Sequence, residues 1–540
     1  MAAQDMMTLA VSLTITPFCG RIEGEKKKSR KDEEKMEKRA FTDAAAWAEE
    51  TFGTADLGDK RRNRRLVQMA SAIAADPDGS LPRQMGGQWS SLKSAYRLLR
   101  AEGVTHESIS QPVWQQTRAQ VERETGVVLM VHDDTQLDYG YQSATTGLGP
   151  IGNGSHQGFF AHSVLAVAPT GTSERILGVM AQEPWVRQPA PKQADGRKES
   201  TRQRRARPRE SEVWLRAVEA VGSPPSGQLW IHVGDRYGDM LPFLQRCRQT
   251  GTAFVVRAAQ NRRLVSEPEE SEPELDHLLD RVKAWPAQAQ GSIDVPSEHE
   301  RRARQAQVRL SWGKVQLPAT DLNGRIQAGV PPLEVWVVRI WEPEPPSKQE
   351  AQREYVPKHK HGAWSQTNPE SQEVEPLEWV LLSSLPVQSE AQAWQTVRWY
   401  SSRWPIEDFH RGLKTGCRLE QRHLGEQRSL ANLLALLSPI AVRLLQLRSL
   451  CREEPEQPAS RWVQPEEAEV IASREGVPVA QLTIQQFVFA VAQLGGFLRR
   501  ASDGSPGWQT LWQGWLRLRW FVAGMRFAAH ARLNSYALSP

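Results

Sequence analysis

The 540-residue chain carries 68 Lys and Arg against 63 Asp and Glu, a formal net charge of +5, with 39% hydrophobic residues and four cysteines. That length predicts about three domains rather than one core, and the mild charge excess means that any nucleic-acid surface has to come from local clusters. Cys19, Cys247, Cys417 and Cys451 form no C-x-x-C pair and have no His at ligand spacing, which argues against a structural zinc or a disulfide framework; no run of eighteen apolar residues predicts a membrane span.

Residues 1–40 read as a disordered extension. Its apolar patch, Met7 to Phe18, lacks the cleavage site of a signal peptide and runs into GEKKKSRKDEEKMEKR, and Met36 is an alternative start. From Thr42 the pattern is helical. Asp59 heads DKRRNRRLVQMASAIAADP, in which Leu66, Met69, Ala70 and Ile73 fall on one side and the basic residues on the other. Lys60, Arg61, Arg62, Arg64 and Arg65 thereby line a face suited to a DNA backbone, although a solvated surface helix has the same pattern. SLKSAYRLLRAEG and SISQPVWQQTRAQVERE complete a helical unit over 41–112. A second basic run, Arg197 to Arg209, reads equally as a DNA-tracking loop or a solvated one.

Strands follow. Val127–Val131 runs into His132-Asp133-Asp134-Thr135, and Gly158–Val167 with Arg175–Gln182 reads as a hairpin. A helix near 212–221 leads to the strand Leu229–Val233 and to Gly234-Asp235-Arg236; a helix from Met240 leads to the strand Ala253–Arg257. In this β-β-β-α-β-α-β order, an Asp ends the first strand and another ends the fourth, which puts both on the rim where open sheets gather ligands. Asp134 competes with Asp133, and strand alternation sends the two to opposite faces. Asp239 reads as the cap of the helix starting near Met240. Arg257, at a strand end, reads as a phosphate contact or as an acid's partner, and His162 as a satisfied strand histidine.

The acidic, Pro-rich stretch after residue 260 contains the strand candidates ARQAQVRLSWGKVQL and PLEVWVVRIW and reads as a β-rich insertion, about 260–385. Beyond it, Tyr400, Arg403, Glu407 and Lys414 are three, four and seven positions apart, a spacing that stacks them on one helix face and surrounds one carboxylate with three phosphate-seeking donors. Glu407 competes with Asp408, and the shared face favours Glu407. Pro405 lies inside that helix, which therefore begins there or kinks. Trp379 and Trp404 read as packing residues. Ser429–Leu450 is an apolar helix, and the final region carries Trp508, Trp512 and Trp515 at i, i+4, i+7, a packing or interface stripe.

Asp133, Asp235 and Glu407 thus come from three remote parts of the chain toward one rim. Hard oxygen donors without His or Cys select Mg²⁺ or Mn²⁺ over zinc, and two such ions, about 3.5–4 Å apart, promote in-line attack on a phosphodiester.

On these strings, from about Trp47 onward, the chain resembles the DDE transposases of the insertion-sequence-four family, transposon-five type. The Y-x2-R-x3-E-x6-K motif stands at Tyr400, Arg403, Glu407 and Lys414, supported by Leu57-Gly-Asp-x-Arg-Arg62, His162-Ser-Val-Leu, Asp235-Arg236, Phe254-Val-Val-Arg257, Ala441–Arg448 and Leu494-Gly-Gly-Phe497. The resemblance implies an α/β chain: an RNase H-like mixed-sheet catalytic core over 113–450, between an all-α N-terminal DNA-binding domain and an α-helical C-terminal dimerisation domain over 451–540. It implies cut-and-paste transposition through nicking, hairpin formation and resolution, and strand transfer, with two Mg²⁺ or Mn²⁺ ions on Asp133, Asp235 and Glu407. It favours Asp133 over Asp134, puts Tyr400, Arg403 and Lys414 on the DNA phosphate and stacks Trp379 on a flipped base. The implied partners are transposon ends, target DNA and a second copy in a paired-end complex, with no membrane or small-molecule cofactor, in a bacterial cytoplasm at the nucleoid. The alternative is a decayed or domesticated copy that binds ends without cutting, against which the three intact acids speak.

Overall fold

The computed structural model describes residues 44–142, 144–171, 173–188, 209–265, 277–295, 304–321, 324–345, 376–500 and 504–537. The expected N-terminal extension and the basic run up to residue 208 lie outside them.

Five helices open the fold: α1 (Ala44–Phe52), α2 (Lys60–Ala75), α3 (Leu81–Gln84), α4 (Trp89–Arg100) and α5 (His106–Val121). The Asp59 carboxylate accepts from the Arg61 amide at 2.7 Å and starts α2. Its buried residues are the expected Leu66, Met69, Ala70 and Ile73; the Leu, Met and Ile side chains each contribute about 1.5–3 kcal/mol on leaving water. A Thr105–Ser108 capping box starts α5, which carries Pro112 and continues to Val121. Residue 112, the expected domain boundary, therefore falls inside a helix, and that helix packs on both α1 and the central sheet.

The sheet begins with β1 (Val127–Asp138), β2 (Gly149–Ile151), β3 (His156–Thr170) and β4 (Ser173–Trp185), then β5 (Leu229–Gly234) and β6 (Ala253–Arg257), with α6 (Glu212–Val221) and α7 (Leu241–Gln249) between the later strands. β3 runs antiparallel to β1 and carries β2 and β4 along its other side, whereas β5 is parallel to β1 and β6 parallel to β5. α7 supplies the crossover that a parallel pair requires.

The insertion does not stand apart. After α8 (Leu278–Ala284), β7 (Ala289–Val295), β8 (Arg304–Leu317) and β9 (Leu333–Trp341) form an antiparallel meander, and β10 (Glu378–Ser383) pairs antiparallel with both β9 and β6. One ten-stranded sheet results.

The chain continues through α9 (Glu390–Ser401), α10 (Pro405–Arg411), a π turn (Gly412–Gly416), a 3₁₀ turn (Leu419–Gln421), α11 (Gln427–Glu453), α12 (Pro465–Glu475), α13 (Ile484–Leu494) and α14 (Trp508–Ala537). Of the two alternatives at Pro405, a helix that begins there or one that kinks, the structure has the first, so the one-face spacing is corrected: Tyr400 lies on α9, Glu407 on α10 and Lys414 on the π turn. α9 ends at Ser401 and Pro405 takes the first helical position of α10, where its missing N–H leaves no bond unmade. Among the described residues only α11 is long and apolar enough to cross a membrane, and 83% of its apolar window is buried inside the fold. The expected Trp stripe on α14 packs on the π turn: Trp508 and Trp512 stack at 5.3 Å, over Gly412 and Gly416 respectively.

Candidate active site

The pleat of β1 separates two chemistries. Asp133 points toward α10, with its Oδ2 3.8 Å from Arg403 Nη1 and 3.5 Å from His410 Nδ1. Asp134 turns to the opposite face, where its Oδ2 accepts from the Trp214 indole N–H at 2.7 Å and its Oδ1 lies 3.2 Å from His162 Nδ1. Burial works to raise the Asp134 carboxyl, but His162 and the Trp214 N–H outweigh it and hold the group below its ordinary value. Asp134 is therefore fully engaged, and Asp133 is the member of the pair that faces the rim.

Asp235 follows β5 and accepts from the Tyr237 amide at 2.9 Å, opening a tight turn over Arg236–Gly238. Burial and then the neighbouring Asp133 push its carboxyl up, against the Tyr237 amide and Arg403, which pull it down. Glu407 accepts from Arg403 Nη2 at 2.6 Å. Its neighbour Asp408 faces the other way, paired with Arg448 at 2.6 Å and Arg411 at 3.0 Å. Arg403 is thus the cation common to all three expected acids. Burial works against its charge, but Tyr400, Asp133 and Glu407 raise its pKa above the ordinary value. Among the described residues, no three acidic, His or Cys side chains gather closely enough to enclose a metal ion as they stand; the donors are of the right type, and a guanidinium lies between two of them.

Asp239 does not cap α7, whose cap residue is Met240. Its buried carboxylate instead accepts from the Ala259 and Gln260 amides at 2.7 and 2.9 Å and from Arg262 at 2.6 Å, fixing the loop after β6.

The phosphate donors surround the rim unevenly. Tyr400 is buried, and burial keeps its hydroxyl protonated against the pull of Arg403 and Arg257. Arg257 hydrogen-bonds Tyr400 and donates to the Glu378 carbonyl at 2.8 Å, so it serves the fold as well as facing the site. Lys414 rides on the π turn, 3.9 Å from Glu420. Trp379, the expected base-stacking residue, is 8% exposed and packs edge-on against Tyr400 at 5.0 Å, which is its packing reading. Trp404, read as packing, is 42% exposed, under the Arg403 guanidinium.

On α2, Lys60, Arg61 and Arg64 are exposed and Arg65 half-buried. Arg62 differs: its guanidinium donates to the Leu57 and Glu102 carbonyls, both at 3.2 Å, and ties the helix to the loop before α5. Sequence reasoning missed His410, whose signal is its place three residues after Glu407, one helical turn on. It also missed a buried line of rings, His162 to His132 at 3.1 Å and His132 to His232 at 2.7 Å.

Two stretches of the chain match known families. Residues 44–104, helices α1 to α4, match the family described as transposase DNA-binding, and residues 439–535, from within α11 through α14, match the transposase Tn5 dimerisation domain. The second match begins ahead of residue 451, so the dimerisation unit takes in the later part of α11. The two matches support a Tn5-type transposase, with its DNA-binding part in the first region and its dimerisation part in the last.

Proposed function

We propose that the chain is a metal-dependent cut-and-paste transposase that nicks DNA at terminal inverted repeats, forms and resolves a hairpin, and joins the freed end to target DNA. The observation that carries this reading is the grouping of Asp133, Asp235 and Glu407 about the single guanidinium of Arg403. An RNase H-like core is supported by the order β4-β3-β1-β5-β6, antiparallel as far as β1 and parallel thereafter.

Asp133, Asp235 and Glu407 would hold two Mg²⁺ or Mn²⁺ ions, since hard carboxylate oxygens suit them and an acid raised by its neighbour gains from a cation. When bound, such ions make a water or 3′-hydroxyl a better nucleophile and neutralise the leaving oxygen. The protein's own part is positioning. Arg403 offers a planar fork matched to a phosphate, Lys414 a point charge, and Tyr400 a protonated hydroxyl held by Arg257. Trp379 enters as the support of Tyr400 rather than as a base platform. Lys60, Arg61, Arg64 and Arg65 are the end-DNA contacts, and cleavage takes place in a paired-end complex of two copies at the bacterial nucleoid.

Asp133→Ala and Glu407→Ala should each abolish nicking in Mg²⁺ and leave binding of an inverted-repeat duplex within about twofold. Nicking that survives either change, or end binding lost in parallel, rejects the reading.

A further inference from the structure

The two strands that carry Asp133 and Asp235 are joined behind the site by one side chain. Trp214, on α6, is 2% exposed, and its indole N–H donates at 2.7 Å to Asp134, whose own amide donates to Asp133 Oδ1 at 3.1 Å. The same indole packs on the turn that holds Asp235. A methyl group built on Gly234 or Gly238 would stand 3.1 or 3.0 Å from its Cζ3, so the turn closes on the ring with nothing between them. Asp235 lies between those two glycines. The underside is fixed as firmly: His132 stacks on Trp214 at 5.6 Å and 16°, Phe243 meets both rings edge-on, and the line His162, His132, His232 crosses from β3 through β1 to β5.

We propose that Trp214 is a positioning residue that sets the separation and orientation of Asp133 and Asp235, by binding the carboxylate next to the first and the glycine turn around the second. It touches no substrate. Its effect is exerted on how well the two acids converge on a divalent cation, as hydrogen-bond partners behind metal ligands do elsewhere, where their loss weakens metal binding about 10–100-fold. The inference rests on the reading of Asp133 and Asp235 as metal-holding acids.

The test is Mn²⁺ titration of the full-length chain, followed by electron paramagnetic resonance well below the melting temperature, with near-ultraviolet circular dichroism to establish folding. Trp214→Phe removes the N–H that binds Asp134 and the ring edge that meets the glycine turn, so it should weaken Mn²⁺ binding about tenfold, and because it also leaves a small cavity, its melting temperature is measured beside the affinity. Gly238→Ala presses on the ring from the other side without touching Asp134, so it should produce a comparable loss and decides the matter if Trp214→Phe fails to fold. Mn²⁺ affinity within twofold of the parent in the folded variants, whatever their melting temperatures, overturns the proposal. Asp133→Asn is the separate control: a parent that binds no Mn²⁺, or binds it equally well with Asp133→Asn, rejects the metal reading itself.

Discussion

Arg403 donates to Glu407 at 2.6 Å across the break between α9 and α10. The four-residue spacing survives the interruption because Trp404 keeps helical angles and Pro405 begins the next helix without needing an N–H. One guanidinium then spans Glu407 and Asp133, which a single ammonium group does not do in the same plane. Arg403→Lys and Arg403→Ala should both lower strand cleavage, by about 100-fold, while inverted-repeat binding stays near the parent value. A lysine variant with parental cleavage rates would mean that charge alone matters there.

The basic face of α2 divides into two roles. Arg61 and Arg64 are exposed, so replacing either with Ala should reduce the salt slope of DNA binding by about one unit and leave melting unchanged. Arg62 spends its donors on the carbonyls of Leu57 and Glu102. Arg62→Ala should therefore cost about 1–2 kcal/mol of stability through two lost hydrogen bonds. Filter binding at several salt concentrations, beside thermal melts, separates the two; an equal salt slope for Arg62→Ala and the parent is expected.

Acid should weaken the fold through histidines buried in neutral form. Burial lowers His106 to about 4, against the hydrogen bond it donates to Gln182 Oε1, which acts the other way, and lowers His232 to about 3. The unfolded values lie near 6.5. Because the folded pKa is the depressed one, the stability from each is intact above about pH 6.5 and is lost as pH falls from there toward the folded value. For His106 alone the loss by pH 4 is about 3 kcal/mol. Melting temperatures from these groups should be level between pH 7.5 and 8.5 and fall steadily below 6.5, with a shallower fall in His106→Gln; parallel slopes for the two proteins would contradict this assignment.

What could be read from the residues was what depends on local periodicity. The buried side of α2 and the place of Asp235 directly after β5 follow from spacing within one element, whereas Asp133, read as a strand end, lies inside β1, which runs on to Asp138, and Arg403 meets Glu407 across the break between α9 and α10. What escaped depends on register between elements. His132 meets partners 30 and 100 positions away because β1 lies between β3 and β5. Asp239 looked like a helix cap, yet the loop after β6 claims its carboxylate, a contact invisible before the sheet is assembled. Trp379 could be placed on a strand, but that it faces Tyr400 depends on α9 folding back beside β10. Arg62 belonged by pattern to the DNA face and by reach to Glu102, 40 positions on.

Gly416 joins the last domain to the rim. A methyl group there would lie 2.7 Å from the Trp512 indole, closer than real contacts allow, and Trp512 is only 3% exposed, so it cannot swing away freely. Gly416→Ala should cost about 1–3 kcal/mol by overpacking. The same clash pushes on the π turn that carries Lys414, so cleavage should fall further than end binding does. A double-mutant cycle isolates the contact. Trp512→Ala alone is expected to cost about 3–5 kcal/mol, but in that background Gly416→Ala should cost at least about 1 kcal/mol less than in the parent, since the indole it strikes is gone. Denaturant melts of the four proteins measure this directly, and additive costs would show that the turn is held by something other than the tryptophan.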